Sequence, residues 1–238
     1  LSVSTAASEL CYYVIPVQDP GTVLDLNLYL VGVPGLDASS APNNSNLRQT
    51  IDVVEQIYQS MGVEVRVQNY IDPPDTVVTN YSMIRDFNDI FRLVATSSTP
   101  GPSRDEHLSV NVFLINDFNV SEAPGLLGVS AGIPGMAGVH GNSGAGLVFS
   151  SANLGQDNQA LGQVMAHEIG HFLGLRHTTE HGGSAHDPIT DTPECILPDL
   201  AFLCPDSDNF MFAFSIGGGQ TVTTDGQAFV IRRNPLVK

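Results

Sequence analysis

Cationic side chains are scarce in this chain. Nine lysines and arginines stand against 25 aspartates and glutamates among 238 residues, a formal net charge of -16. The nine do not cluster, so no basic patch exists to displace phosphate counterions, and nucleic acid is not an expected partner. Charge of both signs together reaches only 14%, which makes the surface acidic without creating a disordered acidic tail. Long apolar runs are missing too. Residues 123–156 hold no Asp, Glu, Lys or Arg, but glycine and proline recur there, and His140, Asn142 and Ser143 interrupt the apolar residues. No stretch of about 20 strongly apolar residues results, so no membrane span is expected. The chain begins at Leu1 without an initiator methionine or a signal-peptide pattern, as a mature or trimmed fragment does, which places any export signal outside it.

What is present is enough apolar material, 42% of residues, to bury one substantial core or two lobes with a cleft between them. One domain over 1–238 is the default. Tyr12–Val17 reads as a strand, and Leu24, Leu26, Leu28 and Leu30 alternate along a second one at Leu24–Val33. Leu47, Ile51, Val54, Tyr58 and Met61 recur at helical spacing over 46–61, and Gly62 stops that helix. Val63, Val65 and Val67 alternate again, a helix is predicted over 81–96, and Ser109–Asn116 forms a further strand after a Pro/Gly/Ser surface loop at 97–103. This alternation is an α/β (α+β) pattern, a twisted sheet backed by helices. Leu126–Ala131 and Gly146–Ser150 add short strands around a glycine-rich loop. A helix over 158–175 has a packing face of Leu161, Val164, Met165, Ile169 and Phe172. Prolines 188, 193, 198 and 205 then keep the chain irregular until a last helix over 224–234, where Thr224 and Gln227 form a capping box and Pro235 follows.

The helix over 158–175 leads into the run His167-Glu168-Ile169-Gly170-His171-Phe172-Leu173-Gly174-Leu175-Arg176-His177. Histidines at i and i+4 share one helix face, so His167 and His171 can direct imidazole nitrogens at a single ion. Glu168 beside them is placed to take a proton from metal-bound water without being a ligand. A straight helix would point His177 away, but Gly174 can adopt the left-handed conformation that ends helices and lets His177 swing back. At the chain's own frequencies of seven His, eight Glu and 23 Gly, these five fixed positions arise by chance with a probability of about 2 × 10⁻⁵. Three imidazoles and an adjacent carboxylate point to zinc and to hydrolysis.

The run resembles the signature of the metzincin metallopeptidases, HExxHxxGxxH followed downstream by a methionine turn. Thr178 directly after the third histidine, the segment Asp191-Thr192-Pro193-Glu194-Cys195, and Asn209-Phe210-Met211 are similar to the pappalysins in particular, over residues 159–215. The resemblance implies a metzincin-type zincin fold: a mostly parallel twisted sheet with an antiparallel edge strand, a backing helix and an active-site helix. Residues 1–177 would form an N-terminal subdomain, and 178–238 a loop-rich C-terminal subdomain with the methionine turn and a terminal helix. It also implies a secreted zinc endopeptidase acting as a monomer, in which His167, His171 and His177 hold zinc and Glu168 activates zinc-bound water against a peptide bond.

Further residues carry implied roles, each beside a plainer reading. Leu127, Gly128, Val129, Ser130 and Ala131 stand as the edge strand that pairs with an extended protein or peptide substrate, or as an ordinary buried strand. Met211 stands as the hydrophobic floor under the metal, or as one apolar residue of a Phe-rich segment. Asp187, Thr190, Asp191 and Thr192 lie where pappalysins carry calcium, yet Asp before Pro and Thr is also a common turn former. Asp206 and Asp208 precede the methionine turn, where metzincins wall the pocket for the residue after the cleaved bond; an acid there would favour Arg or Lys, while loop capping is the simpler role. The resemblance implies a Cys195–Cys204 disulfide and an oxidising compartment. Cys11 is left over, as an inert thiol or a remnant of a latency device, although Tyr12 stands where zymogens place glycine. Ala213 replaces the tyrosine that several metzincins carry near the metal. His107, His140, His181 and His186 read as surface or loop residues. Two other classes compete: an idle zinc-binding module, against which Glu168 argues, and a hydrolase of non-peptide amides, which a chelator-sensitive casein digest separates.

Overall fold

The alternating leucines of the first strand, β1 (Val23–Val31), send Leu24, Leu26, Leu28 and Leu30 to one face and Tyr29 and Val31 to the other, all of them buried. In this computed structural model, which describes residues 19–98, 108–196, 203–214 and 219–238, both faces of the sheet are covered. Tyr12–Val17 and Cys11 lie outside the described residues, as does most of the 97–103 loop. Next come α1 (Ser45–Ser60), β2 (Glu64–Ile71), α2 (Asp75–Tyr81), β3 (Met83–Ile84), α3 (Phe87–Val94), β4 (Ser109–Ile115), β5 (Asp117–Phe118), β6 (Gly128–Ser130), β7 (Leu147–Ser150), α4 (Asn158–Phe172) and α5 (Asp225–Arg233). The main sheet runs β2-β1-β4-β7-β6, parallel except for β6, which pairs antiparallel with β7 at the edge. This is the mixed α/β architecture with an antiparallel edge strand that the sequence leads one to expect.

The leucine face of the sheet packs with α1 and α4 into one core, while Tyr29, Val31, Phe113, Ile115 and Val148 on the other face pack against α3. Asn44 caps α1 by accepting from the backbone N–H groups of Asn46 and Leu47, which frees Leu47, Ile51, Val54 and Tyr58 to face inward. Helix α1 lies directly behind α4. Gly162 of α4 comes so close that a Cβ there would sit 2.6 Å from the Thr50 carbonyl oxygen, and the buried Tyr58 hydroxyl donates to the Ala166 carbonyl at 3.1 Å.

The helix predicted over 81–96 is not continuous. Ser82 accepts backbone bonds from Asn116 and Asp117, Met83 and Ile84 pair with β5, and Asp86 then caps a fresh start at α3. Pairing with a segment more than 30 residues away overrides the local periodicity. At the C-terminus, α5 begins on the capping box of Thr224 and Gln227. The tail after it returns to the sheet, where the Lys238 backbone bonds to Thr22 and Val23.

Candidate active site

Helix α4 starts at Asp157, whose carboxylate accepts from the Ala160 N–H. Its inward face of Leu161, Met165, Ile169 and Phe172 belongs to the core, leaving Gln163, Val164, His167 and Glu168 on a stripe along a cleft. The helix ends three residues earlier than predicted, in a Schellman motif: Gly174 N–H donates to the His171 carbonyl and Leu175 N–H to that of Gly170, each at 2.9 Å. Gly174 has φ of +110°, the left-handed geometry anticipated for it. The reversal brings His177 back against the two helical histidines.

Each imidazole is held at Nδ1. His167 Nδ1 donates to the Phe210 carbonyl at 2.8 Å, His171 Nδ1 to the Leu175 carbonyl at 2.9 Å, and His177 Nδ1 to Glu180 Oε2 at 2.9 Å. These acceptors place the proton on Nδ1 and leave three Nε2 lone pairs. The lone pairs converge, with His171 Nε2 and His177 Nε2 3.1 Å apart, and one ring nitrogen from each of the three lies within 4.8 Å of the others. Two lone pairs this close repel unless a cation lies between them. Two nitrogens bound tetrahedrally to one zinc at about 2.0–2.1 Å would stand about 3.3 Å apart, so the residues fit zinc. Burial, reinforced by repulsion among the rings, holds His167 far below its ordinary pKa and lowers His171 to about 4. Both are therefore neutral, ligand-ready imidazoles near pH 7.

Glu168 is buried beside the edge strand, where desolvation pushes its carboxyl up to about 8 while the Ser130 backbone N–H pulls it down. A cation at the histidines adds a further downward pull. Gly128 makes room for this carboxylate, since a Cβ there would lie 2.7 Å from Glu168 Cγ. Leu127 and Ala131 turn backbone groups toward β7, so the intervening Gly128 and Ser130 turn theirs outward. Leu127 and Gly128 line the cleft, whereas Val129 and Ala131 pack onto the core under α3.

Met211 lies directly under the histidine helix. A Cβ on Gly170 would come within 2.5 Å of its Sδ, and Met211 is fully buried. Its turn is tied to α5 by a reciprocal amide pair: Gln227 Nε2 donates to Asn209 Oδ1 at 2.9 Å, and Asn209 Nδ2 to Gln227 Oε1 at 3.2 Å. Thr178 N–H donates to the Met211 carbonyl at 3.1 Å. The hydroxyls of Thr178 and Thr179 both donate to Asp206 Oδ2, at 2.6 and 2.8 Å. The residue that follows the third histidine is thus a latch between His177 and the methionine turn.

Asp206 is buried in that latch, and Asp208 is exposed and absent from the cleft lining. The Asp208 carbonyl accepts from the Val222 N–H at 2.9 Å. Cys195 and Cys204 form a disulfide as the resemblance implies, packed against Phe212. Calcium on Asp187, Thr190, Asp191 and Thr192 is not supported. Both Asp191 oxygens are used at the start of α5, by the Thr224 hydroxyl and the Gly226 N–H. Thr192 donates to Asp187 Oδ1 and to the Ile189 carbonyl, and Thr190 is exposed. Among these four only Asp187 Oδ2 is a buried oxygen without a partner, far short of the six to eight oxygens calcium takes.

The cleft, about 330 Å³, is lined by residues 123–128, by α4, and by His181, Phe210, Phe212, Ala213 and Gln220. His181 stands edge-on to Phe214, ring centres 4.3 Å apart, and 6.2 Å from the His177 ring. Its spacing from His177 is the only trace in the sequence, where it reads as a loop residue.

Fold and site together define a metzincin-like zinc metallopeptidase. Residues 44–178, more than half of the chain, match the family described as Metallo-peptidase family M12B Reprolysin-like, and the chain belongs to that family. No curated protein matches it. Among solved structures it is similar to metalloproteinase-II from Bacteroides fragilis, with 10% identity and a TM-score of 0.46, over 92% of this chain and 55% of that one. The chain spans about half the length of that protein.

Proposed function

We propose that this chain is a secreted zinc endopeptidase of pappalysin type within the metzincins. The observation that carries the reading is the convergence of three Nε2 lone pairs from His167, His171 and His177 beside the buried carboxylate of Glu168. Zinc held there supplies a Lewis acid, which acidifies water and stabilises negative charge developing on an attacked carbonyl oxygen. Glu168 takes the proton from the attacking water and returns it to the leaving amine nitrogen as the C–N bond breaks. The outward backbone of Gly128 and the carbonyl of Ser130, whose N–H is taken by Glu168, pair with an extended substrate and hold its scissile bond over the histidines. Residues 1–177 and 178–238 serve as the two lobes of the cleft, Met211 as its floor. Secretion is supported by the Cys195–Cys204 bond, since disulfides persist in oxidising compartments. Among the described residues no helix is long and apolar enough to cross a membrane.

The test is digestion of casein and of a peptide library by the purified protein, with and without a zinc chelator. Cleavage that the chelator abolishes and added zinc restores is expected. Chelator-insensitive cleavage, or none at one zinc per chain, would overturn the reading.

A further inference from the structure

Gln163 is 6% exposed, and its side-chain Nε2 is buried without a hydrogen-bond partner. It lies one helical turn before His167, on the stripe of α4 that lines the cleft. Leu126, Leu127, Val164, Phe210 and Phe212 give the cleft its apolar lining, and His167, Glu168, His181 and Gln220 its polar groups. A buried amide donor left unpaired is unfavourable, and buried polar groups in folded proteins are nearly always satisfied. Because Gln163 lines the cleft, a substrate side chain that reaches its amide and brings the missing acceptor satisfies it.

Resting on the peptidase reading above, we propose that Gln163 determines specificity by selecting a carboxamide side chain, Gln or Asn, next to the scissile bond. Charge rules out the alternatives. Among the described residues the one carboxylate in the lining is Glu168, which is committed to proton transfer, so a buried lysine or arginine head would have no counter-ion. An acidic side chain would meet Glu168 and a chain of net charge -16. A carboxamide is neutral and offers both donor and acceptor, so it pairs with either orientation of the Gln163 amide. The same chemistry already operates in this fold in the reciprocal Asn209–Gln227 pair. An aliphatic side chain of similar size would fill the cleft yet leave the amide unpaired, and sites built to hydrogen-bond a substrate group reject analogues lacking it.

The experiment is cleavage-site profiling of the zinc-loaded protein on a random peptide library, wild type beside Gln163→Met and Gln163→Glu. Wild type is expected to favour Gln or Asn over Leu or Met at one position flanking the cut by about tenfold. In Gln163→Met that preference inverts toward Leu and Met. In Gln163→Glu it moves to Lys and Arg, a readout that stands even where the Met variant fails to fold. Profiles of the variants that overlay wild type, or a wild-type preference for basic or aliphatic residues at both flanking positions, would overturn the inference and leave the peptidase reading intact. Absence of any zinc-dependent cleavage by wild type would overturn both.

Discussion

Glu168 is a residue whose surroundings serve chemistry at the expense of its own solvation: it is 8% exposed beside a glycine that leaves it space. Glu168→Gln preserves that shape. It is expected to retain one zinc per chain while peptide hydrolysis falls by about 10²–10⁴-fold, and hydrolysis at the wild-type rate would remove Glu168 as the base. Glu180 acts one step back, through His177 Nδ1. Loss of such a partner lowers metal affinity by about 10–100-fold, so Glu180→Ala should lose zinc to a competing chelator at correspondingly lower concentration, and Glu180→Gln less so. Equal zinc affinity in all three proteins would show that Glu180 does not position the ligand. His167, Glu168 and His171 were legible because their spacing is intrahelical, and His177 because Gly174 marks the turn that returns it. Nothing in the sequence singles out Gln163, four residues before His167, because its missing partner is visible only once the walls of the cleft are in place.

At the scale of elements, α4 is fixed from both sides. Gly162 admits α1 and Gly170 admits Met211, so the helix has no room to shift along its axis or roll. Gly170→Ala is expected to destabilise by about 1–3 kcal/mol through overpacking, at about 2–4 °C of melting temperature per kcal/mol for a chain of this size. A melting temperature equal to wild type would mean that Met211 can move aside. Strand alternation, the capping box of α5 and the glycine end of α4 were all readable, because each is set by residues within one or two turns. The predicted 81–96 helix was not: its apolar spacing is real, but residues 82–84 hydrogen-bond to a distant segment and the helix restarts at Asp86.

The whole molecule closes at a buried ion cluster. Asp25, 3% exposed, accepts from Lys238 Nζ at 2.6 Å, Gln68 Nε2 at 2.9 Å and Arg66 Nε at 3.1 Å. Burial alone would raise its pKa, but the bonds from Lys238 and Gln68 and the charges of Lys238 and Arg66 lower it overall. A folded pKa below the unfolded value of about 3.9 gives stability that is present above about pH 4 and lost as pH falls through the folded value. Wild type should therefore lose stability more steeply than Asp25→Asn below about pH 4, and parallel acid-unfolding curves would refute the coupling. The disulfide spans nine residues, so replacing both Cys195 and Cys204 with serine should destabilise by about 2.6 kcal/mol on loop entropy. Denaturant midpoints of the oxidised wild type and the double variant measure it.

By itself the sequence determined the ligand run, the base beside it, the alternating strands and the helix ends, since each follows from backbone geometry over a few residues. Only the tertiary structure decided that Asp206 is a buried latch under Thr178 and Thr179, that Asp191 accepts from Thr224 and Gly226 at the start of α5, and that His181 and Gln163 wall the cleft. These depend on segments tens of residues apart sharing one small volume, where burial and hydrogen-bond pairing settle which polar groups remain free for a ligand.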